Sequence, residues 1–104
     1  MRITEQMIRE RDKWLTIVSK ATGVTERAIM GRSRVEEIAM ARHLLIWALH
    51  SLRGYSYPML AEMMGRTAAT CTNSNNVIVY THHTPEWREV IDELKAYNDE
   101  QKVH

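Results

Sequence analysis

At 104 residues, 44% hydrophobic and 26% charged with a net charge of +1, the chain has the size and balance of one globular domain spanning 1–104, and extended disorder is excluded. The single cysteine, Cys71, excludes an internal disulfide and a cysteine-based zinc site, and fits a reducing compartment. The charged start MRITEQMIRERDKW is unlike a signal peptide, and no run approaches the roughly 18 apolar residues of a membrane span, so a cytoplasmic protein is expected.

Helix formers dominate, Phe is absent, and period-two alternation is nowhere sustained, which predicts an all-α fold of five or six helices. Residues 3 to about 20 place Ile3, Met7, Trp14, Ile17 and Val18 on one helical face, and Gly23 breaks the pattern. A short helix follows, with Thr25 available as its cap and Gly31 as its stop. Ser33 with Glu36 three residues later has the form of a capping box and predicts that a long helix starts there. From Val35 the series Ile38, Ala41, Leu45, Ala48 and Leu52, widened by Leu44, Ile46, Trp47 and Leu49, makes that helix the buried centre, ended by Gly54.

Ser56 caps a further short helix with Pro58 in its first turn, and Leu60, Ala61, Met63 and Met64 form its apolar side before Gly65 stops it. Thr67 caps the next helix, AATCTNSNNVIVY, whose weak propensity requires tertiary support; its end, Val77 to Tyr80, could alternatively form a short strand. Thr84 and Pro85 open the last helix, which carries Trp87, Val90, Ile91 and Leu94.

Two helices joined by a tight glycine turn make a helix-turn-helix, which sets residue types at fixed offsets. Ala61 is small where the helices cross, Gly65 takes the turn, Cys71 packs the second helix on the first, and Leu60 and Met64 face the core. The outward residues are then Arg66, Thr67, Ala68, Ala69, Thr72, Asn73 and Asn76. Asn can bond both edge atoms of adenine, Thr can bond bases or phosphates, Ala can meet a thymine methyl, and Arg66 can reach a phosphate. The same offsets also occur in ordinary helical hairpins. Charge is uneven along the chain: residues 20–72 hold seven basic and four acidic side chains, whereas residues 73–104 hold three and six. A DNA face requires Arg32, Arg34, Arg53 and Arg66 to converge on the side that bears Asn73.

The segments GRSRVEEIAMARHLLIWAL and RGYSYPMLAEMMGRTAAT together resemble the carboxy-terminal DNA-binding domain of the bacterial replication initiator DnaA, over roughly residues 15–95. In that family a basic loop opens a long helix, followed by a Leu-Pro-x-Ile-Gly segment and a Gly-Arg-Asp-His-Thr-Thr-Val signature. The resemblance implies that Arg34 is the loop arginine that enters the minor groove, Arg42 the arginine of the long helix, Pro58 the family proline, and Gly65, Arg66 and Thr70 signature residues. Two departures stand out: Thr67 and Ala68 replace the signature's aspartate and histidine, and Glu36 and Glu37 lie in a normally basic loop. Recognition of the family's standard nine-base-pair box is therefore expected to be altered or lost.

The resemblance implies a non-catalytic duplex-DNA binder using Arg32, Arg34, Arg42, Arg66, Thr67, Ala68, Ala69, Thr70, Thr72, Asn73 and Asn76, with a role in replication initiation or its regulation. A replication or regulatory protein is its implied further partner. The sequence given holds no GxxxxGK[ST] loop, so the initiator's ATPase module is not expected in it. The competing class is a protein-interaction module on the same scaffold that has lost DNA readout, favoured by Glu36, Glu37 and the near-neutral net charge. No cofactor or metal is expected. Adjacent His82 and His83 point about 100° apart on a helix and read as a loop before a cap. His43 and His50 read as surface or satisfied core histidines, and Cys71 lacks a basic partner that would make it a nucleophile.

Overall fold

A computed structural model describes residues 3–81 and 83–102. Among these the chain forms six helices and no strand: α1 (Glu5–Thr22), α2 (Glu26–Met30), α3 (Glu36–Trp47, continued by a π-helical turn over Ala48–Leu52), α4 (Tyr57–Met64), α5 (Ala68–Tyr80) and α6 (Pro85–Lys102). Local chemistry explains most boundaries. The Oγ1 atoms of Thr4, Thr25 and Thr67 and the Oγ of Ser56 each accept from a backbone N–H three residues on, satisfying donors that a helix start leaves free. Thr84 does the same for Trp87, with Pro85 as the first helical residue. Gly23 and Gly65 end α1 and α4 in the left-handed conformation, at φ 77° and 64°.

One apolar cluster joins the helices. Leu44, Leu45, Ile46, Ala48 and Leu49 have no exposed surface, so α3 is the central element, packed by Trp14, Leu15 and Val18 of α1, Ile29 of α2, Leu60 and Met63 of α4, and Leu94 of α6. Burial of this many aliphatic side chains, each contributing about 1.5–3 kcal/mol, supports α5, whose own propensity is poor. α5 lies across α3 and α4 on the face that carries Cys71, Ser74, Asn75 and Ile78, which recur at helical spacing. Ser74 Oγ lies 2.8 Å from His43 Nδ1, and Asn75 Oδ1 accepts from Ser51 Oγ at 2.8 Å, so the polar residues of this contact have partners.

Two expectations change, and one open alternative closes in favour of the helix. The Ser33–Glu36 box does not form: Val35 is extended at φ −58°, ψ 131°, α3 begins at Glu36, and its start has no side-chain cap. Ser33 Oγ instead accepts from Val35 N at 3.2 Å, while the Ser33 carbonyl is held by Arg42, so tertiary bonding replaces the local cap. The long helix loosens into a π turn before Gly54, where Arg53 N donates to Ala48 O five residues back. Val77 to Tyr80 continue α5, because Ile78 completes the face buried against α3. His82 lies outside the described residues.

Candidate nucleic-acid interface

The turn between α4 and α5 is tightly bonded. Gly65 N and Arg66 N donate to the Glu62 and Ala61 carbonyls at 3.4 and 2.9 Å, closing the end of α4. Arg11 of α1 adds Nη1 to the Met63 carbonyl at 2.6 Å, fixing that end against the rest of the molecule. α5 therefore leaves the turn in a defined direction. Thr67 Oγ1 accepts from Thr70 N at 3.1 Å and donates to Thr70 Oγ1 at 2.9 Å, so the Thr67 hydroxyl is occupied within the cap.

With Cys71, Ser74, Asn75 and Ile78 turned inward, the helical period turns Ala69, Thr70, Asn73 and Asn76 outward, and all four are exposed. Thr67 is exposed at the cap, Ala68 is half-buried, and Thr72 is half-buried with its hydroxyl donating to Ala68 O at 2.9 Å. Cys71 is wholly buried where α5 crosses α4, and that burial pushes its thiol pKa up, against a small lowering by Arg66.

Beside this face runs the α2–α3 loop. Arg32, Ser33 and Arg34 of the loop, Ala39, Arg42 and His43 of α3, Arg66 of the turn, and Thr70 and Asn73 of α5 enclose an open concavity of about 540 Å³. Four of its nine lining residues are arginines and none is an acid. Arg32 and Arg34 are exposed. Arg42, expected among the DNA-facing residues, is only 8% exposed. Its Nε, Nη1 and Nη2 donate to the carbonyls of Ile29, Ser33 and Ala28 at 2.8, 2.9 and 3.2 Å, because its stem leaves α3 directly beneath the loop. Arg66 is half-buried: its Nη2 donates to the Gly31 carbonyl, and its Nε is buried with no partner.

Among the described residues no carboxylate pairs with Arg32, Arg34, Arg42 or Arg66. Carbonyl partners leave a guanidinium its full charge, so this face stays positive although the chain is nearly neutral overall. Burial lowers the pKa of Arg42, and nearby Arg66 lowers it further.

Arg53 does not join the other three arginines. It lies among α1, the end of the π turn and α6, donating from Nε to Glu10 at 2.5 Å and from Nη1 to the buried Asn98 at 3.0 Å. Ser33, Ala39 and His43 are the lining residues that sequence reasoning left out of the DNA-facing set, and His43 is the titratable one. Its half-burial and bond to Ser74 fit the expected satisfied histidine, yet its ring also borders the concavity. Burial, and then Arg42, depress its pKa below 6.5. His50 is separately engaged, with Nδ1 at 2.8 Å from Tyr55 O and its ring stacked on Tyr57 at 4.1 Å.

Among the described residues no group of three or more His, Cys, Asp or Glu is placed to hold a metal, and no helix is long and apolar enough to cross a membrane. No protein of curated function matches the chain. A family model described as "Bacterial dnaA protein helix-turn-helix" matches residues 12–78, from α1 through the loop and nearly all of α5.

Proposed function

The chain belongs to the bacterial DnaA helix-turn-helix family, a family of DNA-binding domains, and on that premise we propose that it binds duplex DNA without catalysis and with altered sequence preference. The observation that carries this reading is the carboxylate-free concavity in which Arg32, Arg34, Arg42 and Arg66 border Thr70 and Asn73. α5 enters the major groove, and Arg34 lies along the adjacent minor groove, whose narrow negative channel favours guanidinium. The start of α5 offers backbone N–H groups and a positive dipole end to a phosphate.

Contacts fall to Arg32 and Arg34 from the loop and to Thr67, Ala69, Thr70, Asn73 and Asn76 along the exposed side of α5. Ala68, Thr72 and Arg66 border this surface, and Arg42 supports it from beneath. Altered preference follows from the first turn of α5. Where the family signature has aspartate and histidine, Thr67 uses its hydroxyl on Thr70, and Ala68 has only a half-buried methyl. Direct reading of base edges moves to Asn73 and Asn76, each able to take an adenine through two bonds. We take residues 1–104 as one domain, acting in the cytoplasm in replication initiation or its regulation alongside a replication or regulatory protein.

Selection of bound sequences from a random duplex pool tests this reading. Enrichment of a site that contains adenine opposite α5 and differs from the family's nine-base-pair box supports it. Recovery of the standard box, or no enrichment, counts against it.

A second reading has its own observation. Glu37 and Glu86 flank a groove of about 370 Å³ floored by Val24, Trp87 and Val90, away from the arginine face, which fits a protein-docking module. A domain that pulls down a replication protein yet binds no duplex would favour it.

A further inference from the structure

We propose that Arg66 is a positioning residue: it fixes the backbone at Met30 and Gly31, where the loop begins, and so couples minor-groove reading by Arg34 to the seating of α5. The inference rests on the DNA-binding reading above and goes beyond it, because it assigns the arginine of the turn to the protein's own backbone rather than to a phosphate.

The loop carries no secondary structure between Met30 and Glu36, yet side chains bond the carbonyls of Gly31 and Ser33 within it and those of the end of α2 that leads into it. Arg42 holds those of Ala28, Ile29 and Ser33, and Arg66 holds that of Gly31, with the Met30 carbonyl 3.5 Å from the same nitrogen. These acceptors bracket Arg32, so both guanidiniums work on the stretch that presents Arg32 and Arg34. The stretch is also tight: a Cβ at Gly31 would lie 3.3 Å from Arg27 O and 3.4 Å from Ala28 O.

Arg66 sits immediately before Thr67, the cap of α5, so its backbone moves with the recognition helix. A bond from its side chain to the loop therefore ties the two reading elements together. The buried, partnerless Nε supports this assignment. A guanidinium free to grip a phosphate would keep all its donors in water or on the ligand, whereas here one donor is left unsatisfied while Nη2 meets the loop. Lysine ends one bond short of the Nη2 position, so its ammonium should not reach the Gly31 carbonyl.

The test uses Arg66→Lys, which keeps the charge and draws the terminal nitrogen back by one bond. In the free protein, trypsin cleavage after Arg32 and Arg34, relative to cleavage after Arg88 on α6, should rise on the order of tenfold in the variant. An unchanged ratio overturns the proposal. In DNA binding at fixed salt, Arg34→Ala should weaken the wild type about tenfold but the Arg66→Lys protein by much less, because the loop is already released. Equal losses in the two backgrounds, with Arg66→Lys itself near wild-type affinity, would mean that Arg66 acts as a charge on a phosphate, and would overturn the coupling. The proteolysis needs no DNA, so failure of the DNA-binding reading leaves that part of the test standing.

Discussion

Arginine is used in opposite ways at two places in this molecule. Among α1, the end of the π turn and α6, Arg53 is neutralised by Glu10, whose second carboxylate oxygen accepts from the Tyr55 hydroxyl at 2.8 Å, and Asn98 completes the group. Burial would raise the Glu10 pKa, but the bonds from Arg53 and Tyr55 hold it below its ordinary value, while burial and then Glu10 push Tyr55 up to about 12. Across the molecule, Arg42 and Arg66 are held by neutral carbonyls, and Arg32 and Arg34 are exposed without a carboxylate. The first arrangement closes a packing contact and cancels charge. The second organises a loop and leaves the charge in place, which is how a chain of net charge +1 can present a strongly positive face.

The contrast can be broken most severely at Arg42. Arg42→Ala removes the side-chain donor from the Ile29 and Ser33 carbonyls, takes one of two donors from that of Ala28 and leaves a gap beneath the loop, and should lower stability by about 3 kcal/mol in urea unfolding. A loss under about 1 kcal/mol would mean that the carbonyls are equally well served by water. Asn73→Ala probes the reading side alone. It should weaken the preferred duplex about tenfold and unrelated duplexes hardly at all, with unfolding unchanged; a uniform loss would remove Asn73 from base readout.

Arg53→Ala sharpens the comparison from the other side. It should cost about 1 kcal/mol of stability, the upper range for a partly exposed pair, and leave DNA affinity at fixed salt unaltered. A matching loss of DNA affinity would join the two regions that the structure separates. The smallest effect concerns His43. Its folded-state pKa is depressed, so as pH falls through 6.5 the unfolded chain takes up a proton first and stability is lost. His43→Gln should flatten the decline in the urea midpoint between about pH 7.5 and pH 5.5, and an unchanged pH profile would assign the decline to other groups.

Much of this architecture is legible in the sequence because it is local. Thr25, Ser56, Thr67 and Thr84 cap the helices they precede, and the spacing of Ala61, Gly65 and Cys71 marks the turn between α4 and α5. Of the outward set read from the helical pattern, Thr67, Ala69, Asn73 and Asn76 are exposed, whereas Arg66, Ala68 and Thr72 are half-buried, and the exposed Thr70 was signalled only by the family signature. The destinations of the long side chains are another matter. Arg42 meets carbonyls nine to fourteen residues upstream, and Arg66 meets one thirty-five residues away. No local pattern encodes such reach. The same blindness explains the misplaced start of α3: Ser33 and Glu36 have the spacing of a capping box, but the grip of Arg42 on Ser33 O holds the chain extended past the point where the box would close. Arg53 was expected with the basic face, and its capture by Glu10 joins residues forty-three positions apart.

The central claim is that Arg32 and Arg34 form a free cationic edge beside α5, and salt-titrated anisotropy on a labelled duplex tests it most directly. The account predicts clear binding at low ionic strength that falls linearly with log salt concentration, and a slope smaller by about two when Arg32→Ala and Arg34→Ala are combined. Absence of binding at the lowest salt, or an identical slope in the double variant, would contradict it.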